Sequence, residues 1–273
     1  MIDQAMRLLN SVVIEVLLLG FAFTGGYWLW RSQVTLPVAT WYALPVEGSI
    51  EFTWAGYWFA FFSMPIARFL VLRWYFRLFI WYLFLGRVAR LRLRLNPLHP
   101  DRAGGLGFLG TSVDAFAPVL IAQTAILAGV IAGQIFHAGA KLPGFKFEIV
   151  GFILFLMLLV LFPLMFFVFQ LVEAKLAASR EFGELASRYA NEFRQKWLQG
   201  DRGSQETLLG TGDIQSLADL ANSYEVVRGM RPLPFDRGLV VRLAILIALP
   251  LLPLTLTMIP LDELLERLVK LLL

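Results

Sequence analysis

The sequence from Gly86 to Gly110 reads GRVARLRLRLNPLHPDRAGGLGFLG, and the predicted orientation of the whole chain depends on it. It begins with four arginines within eight positions, continues through a Pro-His-Pro corner and ends among four glycines. Long apolar stretches flank it on both sides. Because loops rich in Lys and Arg stay on the cytoplasmic side of a membrane, this stretch predicts a polytopic membrane protein and fixes its orientation.

The composition is that of a chain embedded largely in lipid. Of the 273 residues, 58% are hydrophobic and 16% are charged, whereas typical soluble domains are about 45–50% apolar and about 25% charged. There is no cysteine, which excludes disulfides, thiolate metal sites and cysteine nucleophiles. The two histidines offer little for a metal or catalytic site, and we predict neither a metal nor a cofactor.

Five segments reach the ~20 mainly apolar residues that a spanning helix needs. We therefore predict an all-α polytopic membrane protein with about five transmembrane helices and additional amphipathic cytoplasmic helices. The predicted spans are Leu8 to Trp30, Phe52 to Leu72, Ser112 to Phe136, Ile149 to Leu171 and Leu239 to Ile259. Residues 31–51 are predicted to form a polar loop. The pattern at 52–95 fits either one long helix or two pieces. At 3.6 residues per turn, one face of a helix carries Arg73, Arg77, Arg87 and Arg94, so we expect Arg94 to continue this basic helical face.

These spans divide the chain into three predicted regions. Residues 1–172 hold the first four transmembrane helices and the basic cytoplasmic loop at 87–110. Residues 173–238 form a cytoplasmic helical region. Residues 239–273 hold the fifth transmembrane helix and a short amphipathic C-terminal segment.

The distribution of basic residues predicts the sidedness. The segment from Arg68 to Arg102 carries eight Lys and Arg residues, and the segment from Glu173 to Arg237 carries nine. The segments 31–51 and 137–148 carry one and two. Since the basic segments belong on the cytoplasmic side, we expect a bacterial-type inner-membrane protein with its N-terminus inside and its C-terminus outside.

Charged and amide side chains inside predicted spans suggest an ion pathway or gate. Such residues are costly in lipid, and by default they mark a functional site or a buried pair. Glu15 lies in the first predicted span, Arg68 in the second, and Asp114 and Gln123 in the third. In one interpretation these side chains line a route for ions. In the other, Glu15 and Arg68 form a structural ion pair that locks two helices together.

The glycine-rich end of the basic stretch predicts an anion or lipid-phosphate site. Its letters match a dinucleotide-binding fingerprint, but that fingerprint requires a βαβ unit, and here a membrane span follows. Backbone amides at a helix N-terminus beside arginines could still hold a phosphate. The residues of this predicted cytoplasmic site are Arg87, Arg90, Arg94, Arg102, Gly104 and Gly105. A tight turn with closely packed backbones is the alternative, and the pattern favours it.

Prolines and small residues predict where the helices depart from regular packing. Pro65, Pro118, Pro163 and Pro253 lie within predicted spans, where each removes a backbone donor and permits a kink. The pair Gly129 and Gly133 has the spacing that lets another helix approach closely.

These features lead to two functional hypotheses. The first is an oligomeric inner-membrane channel or channel-like conductor, preferring anions, with a basic cytoplasmic mouth. The second is a non-catalytic membrane scaffold that binds a partner or lipid through its cytoplasmic helices. The sequence carries no recognisable catalytic motif, so we do not predict an enzyme. The expected partners are membrane lipids, anionic ones included, and further copies of the chain. Nucleic acid is not expected, because the arginines alternate with apolar residues on a membrane-bound face.

Overall fold

A computed structural model describes residues 2–33, 41–46, 49–199 and 211–258 of the chain. Its regular elements are mostly helical. The helical segments are α1 (Ile2–Leu9), α2 (Val12–Gln33), α3 (Trp54–Val88), α4 (Phe108–Ala138), α5 (Leu142–Trp197), α6 (Gly212–Arg228) and α7 (Arg237–Met258). Two short strands, β1 (Ala43–Val46) and β2 (Ser49–Phe52), pair in antiparallel fashion.

Four helices in the described part of the chain, α3, α4, α5 and α7, are long and apolar enough to cross a membrane. They confirm the second to fifth predicted spans as apolar helices. The first predicted span is interrupted at Asn10 and Ser11, between α1 and α2. The apolar part described in α2, Val12–Thr24, is shorter than a full span, so the first span stays a prediction. The predicted amphipathic C-terminal segment falls at 259–273, outside the described residues.

Helix α3 is one continuous helical segment of 35 residues, which answers whether residues 52–95 form one helix or two. It ends at Val88, and the chain stays non-helical until Phe108. Arg94 was expected to continue the basic face of this helix, and that expectation is wrong. Arg92 and Arg94 are exposed and alternate with the partly buried Leu93, which is the two-residue period of an extended segment.

The hairpin of β1 and β2 corrects the prediction that residues 31–51 form a polar loop, while the fold remains largely helical. Thr53 joins the hairpin to α3, because its hydroxyl donates to the carbonyl of Trp41 at 2.8 Å and caps the helix by accepting from the amide of Gly56 at 3.1 Å. A Cβ at Gly56 would overlap the carbonyl oxygen of Tyr42. Glycine at this position therefore permits the close contact between hairpin and helix.

The predicted proline effects appear as local departures from α-helical hydrogen bonding. A π-helical turn, Phe59–Ser63, precedes Pro65, and a 3-10 turn precedes Pro118. Pro163 and Pro253 lie inside 3-10 segments of α5 and α7. Proline cannot donate the bond that closes an α-helical turn, so the helix adopts other hydrogen-bond spacings at these points.

The chain divides into two compact units. Unit 1 comprises Met1–Phe84, Ala115–Val160 and Val240–Leu273, and unit 2 comprises Leu85–Asp114 and Leu161–Leu239. The basic stretch and the predicted cytoplasmic helical region therefore belong to the same compact unit.

The core of unit 1 includes a cluster between α4 and α7. Ala128 and Ile131 pack with Leu251 and Leu254, and all four are buried. On the same helix α4, a Cβ added at Gly129 or Gly133 would have no atom within 4 Å. Within the described chain, no helix makes the close approach that this glycine spacing predicted.

The core of unit 2 is built from α5 and α6. Leu164, Phe167 and Leu171 of α5 are fully buried, as is Val227 of α6. Helix α6 forms within the predicted cytoplasmic helical region. Of the apolar stripe that its sequence contains, the less exposed members are Leu217, Leu220, Tyr224 and Val227, whereas Ile214 at the start of the stripe is exposed. Burial of these apolar side chains stabilises the pairing of the two helices.

Candidate functional site

The basic stretch in unit 2 folds into a turn around the carboxylate of Asp101. Oδ1 of Asp101 accepts hydrogen bonds from the amides of Ala103 at 2.8 Å and Gly105 at 3.2 Å, while Oδ2 accepts from the amide of Gly107 at 2.8 Å. Nδ1 of His99 lies 2.8 Å from Oδ1. One carboxylate thus organises three backbone amides of the glycine-rich turn.

This hydrogen bonding changes the acidity of Asp101. Partial burial alone would raise its pKa, but the three backbone amides and His99 favour the ionised carboxylate and lower the pKa to about 2. Asp101 is therefore a stable anion at neutral pH. It satisfies three backbone amides of the glycine-rich turn that follows the arginines.

The glycines of the turn adopt conformations that other residues resist. Gly104 and Gly105 have φ values of 64° and 94°, in the region that glycine occupies without strain. A Cβ at Gly104 would lie 3.1 Å from Leu95 and from Met230, so there is little room for a side chain. These features belong to the tight turn that the sequence allowed as an alternative.

Backbone amides of the glycine-rich stretch, which were predicted to bind an external anion, donate hydrogen bonds within the turn itself. The amide of Gly105 donates to Asp101, as does that of Gly107. Of the two glycines in the predicted lipid-phosphate site, Gly105 therefore has its amide engaged, and the exposed arginine side chains offer the charged donors to a phosphate.

The segment after α6 holds the turn in place. Arg231 donates from its amide to the carbonyl of Arg102 at 2.6 Å and from Nη2 to the carbonyl of Asp101 at 2.7 Å. Lys175 of α5 donates from Nζ to the carbonyl of Met230 at 2.8 Å. Sequence reasoning missed Arg231 and Lys175, because no local pattern distinguishes them from other exposed cations.

A second set of hydrogen bonds holds the start of the basic stretch in place. Nε2 of Gln170 on α5 donates to the carbonyls of Ala89 and Leu91, the latter at 3.0 Å. These are the positions at which helix α3 has ended and the chain turns extended. Gln170 thus supplies donors to carbonyls that no longer have helical partners.

The arginines of this stretch point outward. We call residues 87–102 the basic segment; its exposed cations are Arg87, Arg90, Arg92, Arg94 and Arg102. None of the five forms an ion pair with another residue in the described ranges. The segment's single acid, Asp101, is engaged by the turn. The basic segment therefore presents uncompensated positive charge on a backbone tied at both ends.

In unit 1, Glu15 on α2 pairs with Arg73 on α3, with Oε1 and Nη2 2.6 Å apart. The predicted pairing of Glu15 with Arg68 is therefore wrong. Nη1 of Arg68 is buried and has no hydrogen-bond partner among the described residues. The sequence placed these charges on helices, but it did not show which of them meet.

Gln123 on α4 makes a hydrogen bond with the hydroxyl of Tyr75 on α3, with 2.6 Å between Oη and Oε1. The two residues border a small, mostly apolar pocket open on one side. Its other lining residues are Trp74, Leu78, Phe116, Val119, Leu120, Leu159 and Val160. Among the described residues, no hydrogen bond or ion pair joins Glu15, Arg68 and Gln123 to one another. Asp114 is partly buried in the 3-10 turn of α4, in unit 2.

Comparison with known proteins assigns no function to the chain. No protein-family model matches the sequence, and neither a curated protein nor a solved structure matches it. In the described residues, no group of three or more His, Asp or Glu side chains is arranged to hold a metal ion. The function is therefore inferred from the chemistry of the two units.

Proposed function

We propose that this chain is a non-catalytic membrane scaffold that binds anionic lipid through the basic segment of unit 2. The observation that carries the proposal is the exposure of Arg87, Arg90, Arg92, Arg94 and Arg102 without ion-pair partners among the described residues. The segment directly follows α3 and precedes α4, two helices able to cross a membrane. In this proposal it lies at the cytoplasmic surface of a bacterial-type inner membrane.

The chemistry of arginine supports lipid phosphate as the ligand. A guanidinium offers a planar set of N–H donors that can bind two phosphate oxygens at once. Basic residues close to an anionic leaflet each contribute about 1 kcal/mol to binding. The apolar residues between the arginines also fit a membrane surface, since Leu91 and Leu98 are 50% and 41% exposed.

The hydrogen bonds that hold the basic segment in place support binding by a preformed segment. Arg231 anchors the turn at one end, and Gln170 anchors the start of the segment at the other. A segment held in place before the ligand arrives loses less conformational entropy on binding. The rigid backbone therefore raises the affinity expected for a given number of arginine contacts.

The pairing of Glu15 with Arg73 favours a scaffold over a conductor. A conducting role requires Glu15 to face the ions, whereas a scaffold uses such charges in pairs between helices. The 2.6 Å distance between the two side chains is that of a direct, charge-assisted hydrogen bond.

The test compares lipid binding by the intact chain and an arginine variant. The delipidated protein in maltoside detergent is titrated with phosphatidylglycerol, and bound lipid is counted by native mass spectrometry. The variant carries Arg90→Gln, Arg92→Gln and Arg94→Gln. Three surface arginines at about 1 kcal/mol each give an expected affinity loss of roughly 100-fold at low salt, which shrinks as salt is added.

A matched control removes the same charge elsewhere in unit 2. Arg180, Arg188 and Arg194 on α5 are also exposed, but acids such as Glu181 and Glu192 lie close to them in sequence. Their replacement by Gln should leave lipid affinity within a few-fold of the parent. Equal losses in the two triple variants would show a non-specific charge effect and would overturn the proposed site.

A second candidate is the ion-conducting homo-oligomer, in which Glu15, Arg68, Asp114 and Gln123 serve as pathway or gate. Its specific support is the polar pair of Tyr75 and Gln123 on two helices that can cross a membrane. Chloride and potassium flux from liposomes holding the purified chain tests it against a Glu15→Gln variant. Flux that follows one ion and changes in the variant supports a pathway. No flux from correctly inserted protein excludes this candidate.

A further inference from the structure

The side chain of Arg68 stands out among the polar groups of unit 1. It lies on α3, three residues after Pro65 and five residues after the end of the π-helical turn Phe59–Ser63. Its Nη1 is buried and has no hydrogen-bond partner among the described residues. Irregular turns of this kind inside helices are frequent at functional sites.

A guanidinium in this position needs an acceptor. Arginine keeps its charge in proteins and carries five N–H donors. A buried donor left without a partner costs about 1–3 kcal/mol, and more when the group is charged. Helix α3 is long and apolar enough to lie in a membrane, where little water is present to satisfy it.

The described acids of unit 1 do not supply that acceptor. Glu15 is engaged by Arg73 at 2.6 Å. Arg68 and Arg73 are five residues apart, which places them about 7.5 Å apart along the helix axis and roughly 140° apart around it. Arg68 therefore cannot share Glu15 while that pair is formed. Glu51 and Glu148 are exposed and make no ion pair with Arg68.

We propose that Arg68 binds a phosphate oxyanion that comes from outside the chain. The fork of a guanidinium matches two phosphate oxygens. Arg68 as a whole is only partly buried, so the ligand would bind along the accessible edge of the guanidinium and compensate its charge. Either inorganic phosphate or the phosphodiester of a lipid headgroup has this chemistry. This site lies in unit 1 and does not depend on lipid binding by the basic segment.

The experiment uses the full chain, delipidated in maltoside detergent without phosphate, and measures the unfolding temperature. Arg90→Gln, Arg92→Gln and Arg94→Gln are present throughout, so that these three arginines cannot contribute. Inorganic phosphate is added in one arm and phosphatidylglycerol in the other. We expect either ligand to raise the unfolding temperature by a few degrees, as ligand binding to the folded state requires, and Arg68→Met to abolish that rise.

The behaviour without ligand gives an independent readout. Replacing a charged group that lacks a partner by an apolar one of similar length should leave the unfolding temperature unchanged or raise it. A marked fall in Arg68→Met without ligand would reveal an internal partner and overturn the proposal. Arg68→Gln also removes the charge; it is measured in parallel and should likewise keep its stability and lose the rise caused by phosphate.

Arg73→Met is the matched control on the same helix. It breaks the pair with Glu15 and should lower the unfolding temperature while keeping the rise caused by phosphate. A rise in the inorganic arm identifies a free anion site, and a rise in the lipid arm alone identifies a headgroup site. No rise in either arm, or an equal loss in Arg68→Met and Arg73→Met, overturns the proposal.

Discussion

Arg231 donates a hydrogen bond from Nη2 to the backbone carbonyl of Asp101 at 2.7 Å, across 130 residues of sequence. The same residue bonds through its amide to the carbonyl of Arg102. Nε of Arg231 is buried without a described partner. One N–H donor of Arg231 therefore has no acceptor among the described residues, while Nη2 and the backbone amide donate to these carbonyls. The segment after α6 is thus joined by two hydrogen bonds to a turn that directly precedes α4.

Replacing Arg231 by Met should loosen this turn. Hydrogen bonds from charged groups contribute about 1.5–3 kcal/mol, and the Arg231 side chain is 33% exposed, so we expect a loss of about 1–2 kcal/mol in the free energy of unfolding. Amide hydrogen exchange at residues 101–107 should speed up. Arg228→Met is the control, because Arg228 is exposed and should change neither quantity. Unchanged exchange in Arg231→Met would show that the turn holds its shape alone.

Asp101 should make stability depend on pH in the acid range. Backbone amides lower its pKa to about 2 in the folded chain, against 3.8 ordinarily. Because the pKa is lower in the folded chain than in the unfolded chain, the ionised carboxylate stabilises the fold at any pH above the unfolded pKa. This contribution is lost as the pH falls from about 4 towards 2. Asp101→Asn should therefore lose about 2 kcal/mol at pH 6 and show a flatter profile below pH 4. A loss in Asp101→Asn that is equal at pH 6 and pH 2 would contradict this prediction.

Most of the helical architecture could be predicted because its cause is local in sequence. Apolar runs of spanning length marked α3, α4, α5 and α7, and prolines marked their irregular turns. The hairpin before α3 was missed, since Thr53 and Gly56 stabilise it through contacts with residues more than ten positions away. Such contacts leave no periodic pattern in a single sequence.

The residues of the candidate sites could be predicted from the sequence, but which of their side chains form pairs could not. The sequence placed Glu15, Arg68 and Arg73 on helices, but which side chains meet depends on how two helices rotate and shift against each other. One residue changes the direction of a side chain by about 100°. The choice between Arg68 and Arg73 as the partner of Glu15 therefore lay beyond sequence analysis.

The tight turn predicts that Gly107 tolerates no side chain. A Cβ there would lie 2.9 Å from Cβ of Asp101 and 3.0 Å from Oδ2, so Gly107→Ala must displace the carboxylate that binds three amides. We expect a loss of about 1–3 kcal/mol in the free energy of unfolding. Gly129→Ala is the control: a Cβ there meets nothing within 4 Å, and alanine should be neutral or slightly stabilising in a helix. Equal effects at the two positions would contradict the geometry of the turn.

The pairing of Glu15 with Arg73 predicts energetic coupling between α2 and α3. Both side chains are partly exposed, at 38% and 41%, so screening limits the expected coupling to about 0.5–1 kcal/mol. A double-mutant cycle with Glu15→Gln and Arg73→Met measures it by titrating the detergent-solubilised chain with sodium dodecyl sulfate. The parallel cycle with Glu15→Gln and Arg68→Met should give no coupling, because Arg68 does not contact Glu15. Coupling in the second cycle and not in the first would mean that the two helices pack in a different register.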